Sequence, residues 1–383
     1  MALHFAKEEL AERRRNACRA LADAGLDGLL MFRQESMYYL TGYDTFGYVF
    51  FQCLFMGADG RMTLLTRAPD LRQARHTSVI EDVRVWVDAP EADPAGELKA
   101  ILGEHGCKGK RLGVEWEAYG LTARNGRLLE RALQGFCLLD DASLLVSRLR
   151  AVKSAAEMAY VRRAAELADD AYDAAVATAR PGVSDASVLA AMQGAVFEGD
   201  GDYPGNEFIV SSGPDALLCR YYSGRRRLER EDQLTLEWAG VFRHYHACLM
   251  RTFRVGPPPP AQLAMAEACR DALAAVKEAL QPGRALGEAF EAHARVLDGA
   301  GYRPHRLNAC GYSLGAAFSP TWMDWPMLYR GNPEAVRPGM VLFLHMIVAD
   351  SDRGLAMTLG ETVAISERGA ERLSRSPLEF VVK

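Results

Sequence analysis

Around residues 149 to 182 the chain changes character. Upstream, short apolar runs alternate with polar and helical stretches; here LRAVKSAAEMAYVRRAAELADDAYDAAVATARPG is one alanine-rich tract filled with helix formers. Ser154, followed by Glu157, reads as a capping box, and Pro181-Gly182 as the stop. The tract therefore opens a new domain. A length of 383 residues agrees, because one core rarely organises that much chain. We expect residues 1–145 to form a first domain and 146–383 a second.

In the first domain the apolar residues from Glu8 to Ala24 recur at helical spacing, and GLDGLLMF reads as a buried strand bounded by glycines. Apolar runs at VFFQCLFM, RMTLLT, RLGVEW and FCLLDD, with a helical pattern from Leu98 to Gly106, continue the α/β alternation. In the second domain, ARPGVSDASVLAAMQGAVFEGDGDY is echoed by QPGRALGEAFEAHARVLDGAGY. Each reads as a helix end, Pro-Gly, an amphipathic helix and a Gly-rich turn. The echo implies two similar halves about a pseudo-twofold, although Pro-Gly is also a common helix terminator. Strand-like segments follow each copy: EFIVSSG, QLTLEWAG and YHACLMRTFRVG, then RLNACGYSLG, GMVLFLHMIV and LGETVAI. The fold class is α+β in two domains.

Composition narrows the function. With 49% hydrophobic and 25% charged residues and a net charge of -5, the chain is ordinary globular protein with no basic field for nucleic acid. Small-molecule substrates are the expected partners. No apolar run approaches the roughly 18 residues of a membrane span, and MALHFAKEELAERRR lacks the apolar stretch of a signal peptide, so we expect a cytoplasmic protein. Its 8 cysteines include no CxxC pair, which argues for reduced thiols and against a zinc knuckle.

LRAVKSAAEMAYVRRAA, FIVSSGP, RTFRVG, RPGMVLF and ETVAIS fall in order between about residues 145 and 370, and YYLTGYDTFGYVFF precedes them. Together they resemble the creatinase, prolidase and aminopeptidase P group. The resemblance implies a creatinase-type N-terminal domain and a pita-bread catalytic domain with internal pseudo-twofold. It also implies a homodimer, in which TGYDTFGYVFF is the loop to suspect at the neighbour's cleft. Peptidases of this group hold two metal ions with two aspartates, a histidine and two glutamates, since hard divalent ions need carboxylate oxygens. The matching positions here are Glu237, Cys248, Tyr312, His345 and Gly360, with Glu361 beside the last. The proton-shuttling histidine is replaced by Arg220. No ligand position keeps its residue, so no metal and no cofactor is expected. GYSLGAAFSPTWMDWP resembles the corresponding element of ectoine hydrolases, departing from it at Asp324, where glutamate is expected.

Glu237, in an apolar strand, is the candidate nucleophile or base; its bland alternative is a salt bridge to Arg251 or Arg220. His345 is the candidate proton carrier, or else a satisfied core histidine. Tyr312 is expected to orient substrate. Arg220 is expected to bind a carboxylate, with Cys248 and Glu361 lining the pocket. Tyr221, Phe318 and Trp322 form an aromatic wall or simply core, and Asp324 pairs with a substrate cation. The reading is a metal-independent hydrolase of a C–N bond in a small, zwitterionic amidine or amide. The alternatives are an Xaa-Pro metallopeptidase and a non-catalytic ligand-binding protein of the same fold.

Overall fold

The structure, a computed structural model, describes residues 3–220 and 225–383, so Tyr221 lies outside the described residues. It has two compact units, Met1–Arg150 and Ala151–Lys383. Among the described residues no helix is long and apolar enough to cross a membrane.

The first unit is built on a six-stranded mixed sheet in the order β4-β3-β2-β1-β5-β6. The strands are β1 (Gly28–Met31), β2 (Cys53–Gly57), β3 (Met62–Arg67), β4 (Asp82–Trp86), β5 (Arg111–Val114) and β6 (Leu138–Asp141). Helix α1 (Lys7–Asp23) buries Leu10, Ala17 and Leu21, the stripe that its helical spacing predicts. Helix α2 (Gln34–Thr41) has no side-chain cap from its own N-cap residue, Arg33. Buried Glu115 substitutes, accepting the backbone N–H groups of Phe32 at 3.1 Å and Arg33 at 2.9 Å. VFFQCLFM is not all strand: Gly47–Val49 forms a 3-10 turn and pairing starts at Cys53. Helices α3 (Asp70–Thr77), α4 (Pro94–Glu104), α5 (Ala123–Leu133) and α6 (Leu145–Arg150) complete the unit.

In the second unit the alanine-rich tract forms α7 (Ala155–Thr178), with the Ser154–Glu157 capping box made in both directions. Its alanines permit close approach to a strand. A methyl group at Gly240 would lie 1.9 Å from the carbonyl oxygen of Ala164, so helix and strand meet backbone to backbone. Helix α8 (Asp185–Glu198) packs on α7, as α10 (Leu286–Gly299) packs on α9 (Pro260–Ala279).

The echo in the sequence is a real repeat. Gly182 donates to the carbonyl of Leu228 at 2.8 Å, and Gly283 donates to that of Val336 at 2.9 Å. Both glycines have positive φ, +83° and +86°, which the turn ending each helix requires. Strands β7 (Ile209–Ser212), β8 (Asp232–Phe242) and β9 (Tyr245–Val255) follow the first copy. After the second come β10 (Ala309–Ser313), β11 (Asp324–Tyr329), β12 (Val341–Asp350) and β13 (Leu355–Ser366). They join in the order β11-β10-β12-β13-β9-β8-β7, in which β9 and β13 meet at the centre and β8 and β12 occupy matching places.

Strand parity then sorts the side chains. On β8, Trp238 faces α7, its indole N–H donating to the Ala168 carbonyl at 2.8 Å, so its neighbour Glu237 points to the opposite face. On β12, Leu342, Leu344 and Met346 join the core formed with α9 and α10, which leaves His345 on the face away from those helices. Two halves of one sheet thus present a carboxylate and an imidazole on one face.

Candidate active site

Glu237, Tyr312, His345 and Arg220 line one cavity of about 140 Å³. Glu237 is paired in register with Ile209 of β7, and Tyr312 with Phe343 of β12. Tyr312 and His345 lie with ring centroids 5.6 Å apart. The Tyr312 hydroxyl donates to Glu237 Oε1 at 3.4 Å, and itself accepts the indole N–H of Trp322 at 2.9 Å. Asn206 and Cys219 add polar edges, whereas Ile209, Leu307, Met323, Met327 and Ile347 make an apolar wall. Sequence reasoning missed that wall, since its members come from separate segments and carry no chemistry of their own.

Burial sets the ionisation of the site. Desolvation raises the Glu237 carboxyl to about 7, against the opposing pull of the Arg220 charge and the Tyr312 hydrogen bond. Desolvation lowers His345 to about 3, with the charges of His293 and Arg220 acting the same way. His345 is therefore a neutral imidazole at physiological pH. Burial thus disfavours the imidazolium that a proton donor would need, while Glu237 titrates where an acid or base needs to. Nδ1 of His345 is buried and has no hydrogen-bond partner among the described residues.

Four candidate binding residues, Cys248, Glu361, Phe318 and Asp324, are not among the residues lining that cavity. Cys248 lies opposite Ala239, on the sheet face of Glu237, but is fully buried, and desolvation holds its thiol well above the ordinary range. Glu361 is a structural anion. It takes a charge-assisted bond from Arg251 and two from Arg372, at 2.7 and 3.2 Å. That pairing also removes Arg251 as a partner for Glu237. Phe318 does not line the cavity but stacks on His244, with centroids 4.2 Å apart. Asp324 is buried outside the lining and accepts the backbone N–H of Trp325 at 2.8 Å.

The model of metallopeptidase family M24 matches residues 159–367, and that of the creatinase/prolidase N-terminal domain matches residues 13–152. The chain belongs to family M24. This M24 chain is 26% identical to the ectoine hydrolase of Halomonas elongata, over 100% of this chain and 99% of that protein. It is 24% identical to the Xaa-Pro dipeptidase of Pyrococcus furiosus, over 64% of this chain and 68% of that enzyme. The crystal structure of the prolidase from Thermococcus sibiricus superposes with a TM-score of 0.88 at 19% identity, covering 99% of this chain and 100% of that one. The chain is an M24-family hydrolase with the pita-bread fold.

The family's name implies metal, and the donor set here does not fit it. The positions that the resemblance assigns to metal ligands hold one carboxylate, a buried thiol whose pKa desolvation raises, a phenol whose pKa burial and nearby Glu237 raise further, one imidazole and a glycine. Gly360 has no room for a ligand side chain: a Cβ there would meet Phe343 Cζ at 2.7 Å and Met250 Cβ at 2.8 Å. One carboxylate cannot bridge and neutralise two hard divalent ions. Elsewhere among the described residues, His305, Asp350 and Asp352 bring three ligand atoms within 4.8 Å of one another, but the Arg353 guanidinium already neutralises Asp350 at 2.8 Å.

Proposed function

We propose that this chain hydrolyses a C–N bond in a small zwitterionic amidine or amide, of the ectoine or creatine kind, without a metal ion. The observation that carries this reading is Glu237: a carboxyl at the cavity wall, raised to about 7, with a tyrosine, a histidine and an arginine as polar neighbours in the lining. Ionised, it takes a proton from a water whose oxygen bonds to the electrophilic carbon; protonated, it returns that proton to the nitrogen as the C–N bond breaks. One group whose pKa matches the operating pH serves both steps in turn. Tyr312 and neutral His345 orient the group under attack, and Arg220 receives the substrate carboxylate. A cavity of about 140 Å³ is small beside the roughly 300–1,000 Å³ of drug-sized pockets, which favours a compact substrate.

A second reading, an Xaa-Pro peptidase, draws on relatives such as the Pyrococcus furiosus enzyme, and it requires bound divalent metal. A colourimetric screen of ectoine, creatine and cyclic amidines beside Xaa-Pro dipeptides separates the two. We expect turnover of an amidine or amide that Glu237→Gln abolishes. Turnover of dipeptides alone, sensitive to chelator, refutes the reading.

A further inference from the structure

The bond from Trp322 to Tyr312 has a direction that matters. A phenol hydroxyl has one proton and two lone pairs, whereas an indole N–H can only donate. With Trp322 Nε1 at 2.9 Å, the indole occupies a lone pair of the Tyr312 oxygen. The phenol proton is left to point elsewhere, and the acceptor in reach is Glu237 Oε1 at 3.4 Å. Were the indole N–H absent, both lone pairs would be open to a proton from neutral Glu237. By filling one of them, the indole biases the hydroxyl towards the arrangement in which Tyr312 donates to the ionised carboxylate. Both rings are held rigidly, at 1% exposure for Trp322 and 4% for Tyr312.

What seats Trp322 is a histidine outside the cavity. His246 on β9 has Nδ1 2.7 Å from the carbonyl oxygen of His244, which only accepts, so Nδ1 carries the proton and Nε2 is a bare acceptor. Nε2 takes the backbone N–H of Gly205 at 2.8 Å. Gly205 lies flat on the Thr321–Trp322 backbone, since a Cβ there would meet the Thr321 oxygen at 2.7 Å and the Trp322 nitrogen at 2.9 Å. Next to it, Asn206 Oδ1 accepts the Trp322 backbone N–H at 3.3 Å. The histidine is fully buried.

We propose that Trp322 is a positioning residue for the reaction: its indole N–H fixes the Tyr312 hydroxyl as a donor to Glu237, and His246 latches the Gly205–Asn206 loop that seats it. The inference rests on Glu237 as the reacting carboxylate. It differs from an aromatic wall in what it predicts. A wall acts on substrate affinity, while a relay acts on Glu237 with no substrate present.

The test is ¹⁵N-tryptophan NMR of the full chain, in which each of the 5 tryptophans gives one indole signal. The Trp322 signal, identified by its loss in Trp322→Phe, is expected to titrate with a midpoint near pH 7. That titration is expected to vanish in both Glu237→Gln and Tyr312→Phe. With ectoine as substrate, Trp322→Phe should lower kcat about tenfold at nearly constant KM and move the pH midpoint upward. The same change made in Tyr312→Phe should cost nothing more. If Trp322→Phe does not fold, the signal is identified instead as the one displaced most by Tyr312→Phe. An indole that still titrates in Tyr312→Phe, or a Trp322→Phe effect confined to KM, overturns the relay. Turnover that survives Glu237→Gln overturns the reading beneath it, which the NMR result alone would not.

Discussion

At the scale of single residues the account turns on two groups that burial drives to opposite ionisation behaviour. Glu237, at about 7, titrates in the working range, and His345, at about 3, does not. The pH–rate profile should therefore have a limb near 7 that belongs to Glu237. His345→Asn should lower kcat and leave that limb in place; its disappearance would make the histidine the titrating group. Glu237→Gln should reduce turnover by at least three orders of magnitude yet raise stability. A carboxyl at about 7 in the folded state, against 4.5 for the ordinary group, favours folding fully only below the unfolded value and loses that advantage as pH rises through 7. Removing it is worth about 3 kcal/mol at pH 8, seen as a Tm higher by several degrees. Glu237 was legible in the sequence because an unpaired carboxylate in an apolar strand is expensive. Glu361 and Cys248 were not, because nothing in their own segments tells that Arg251 and Arg372 claim the first or that the second is fully buried.

At the scale of elements, the central pair β9 and β13 packs tightly around Gly360, one of the positions that the resemblance assigns to a metal ligand. Met250 lies opposite Gly360 across these strands, and Phe343 fills the space above the glycine. Phe343 also contacts Tyr312 and His345, with ring centroids 5.4 and 5.7 Å away. Gly360→Ala must push that ring aside, so we expect a loss of about 1–3 kcal/mol in urea unfolding together with reduced turnover. An unchanged urea midpoint would show that the strand has slack. Most elements were readable from the sequence. The capping box of α7 and the paired Pro-Gly turns follow from local pattern, whereas the facing of β8 and β12 does not, since both strands are buried almost throughout. The turn at Gly47–Val49 falls in the TGYDTFGYVFF loop, but the start of the next strand was not readable, because apolar residues alone do not distinguish turn from strand; Val49 and Phe50 are 55% and 46% exposed and pairing begins at Cys53.

Over the whole molecule, buried neutral histidines set the response to acid. His246 and His293 are lowered by desolvation to about 4, and His345 to about 3, all in the second unit. A histidine whose folded pKa lies below 6.5 adds stability that is present above that value and lost as pH falls towards the folded pKa. Three such groups oppose the single raised carboxyl of Glu237, so unfolding of this unit takes up protons. The Tm should fall between pH 6.5 and 5, by an amount that shrinks in His293→Leu; a Tm flat over that range would mean that the histidines already titrate in the native protein. The N-terminal unit has its own buried carboxyl, Glu115, raised by desolvation to about 7, and it works the other way. The most direct trial of the proposed metal independence is made on one purified sample, with metal content and turnover measured together before and after exhaustive chelation. We expect well under one equivalent of transition metal per chain and unchanged turnover of an amidine or amide substrate. Two equivalents per chain, with activity lost on chelation and restored by manganese, cobalt or zinc, would contradict it.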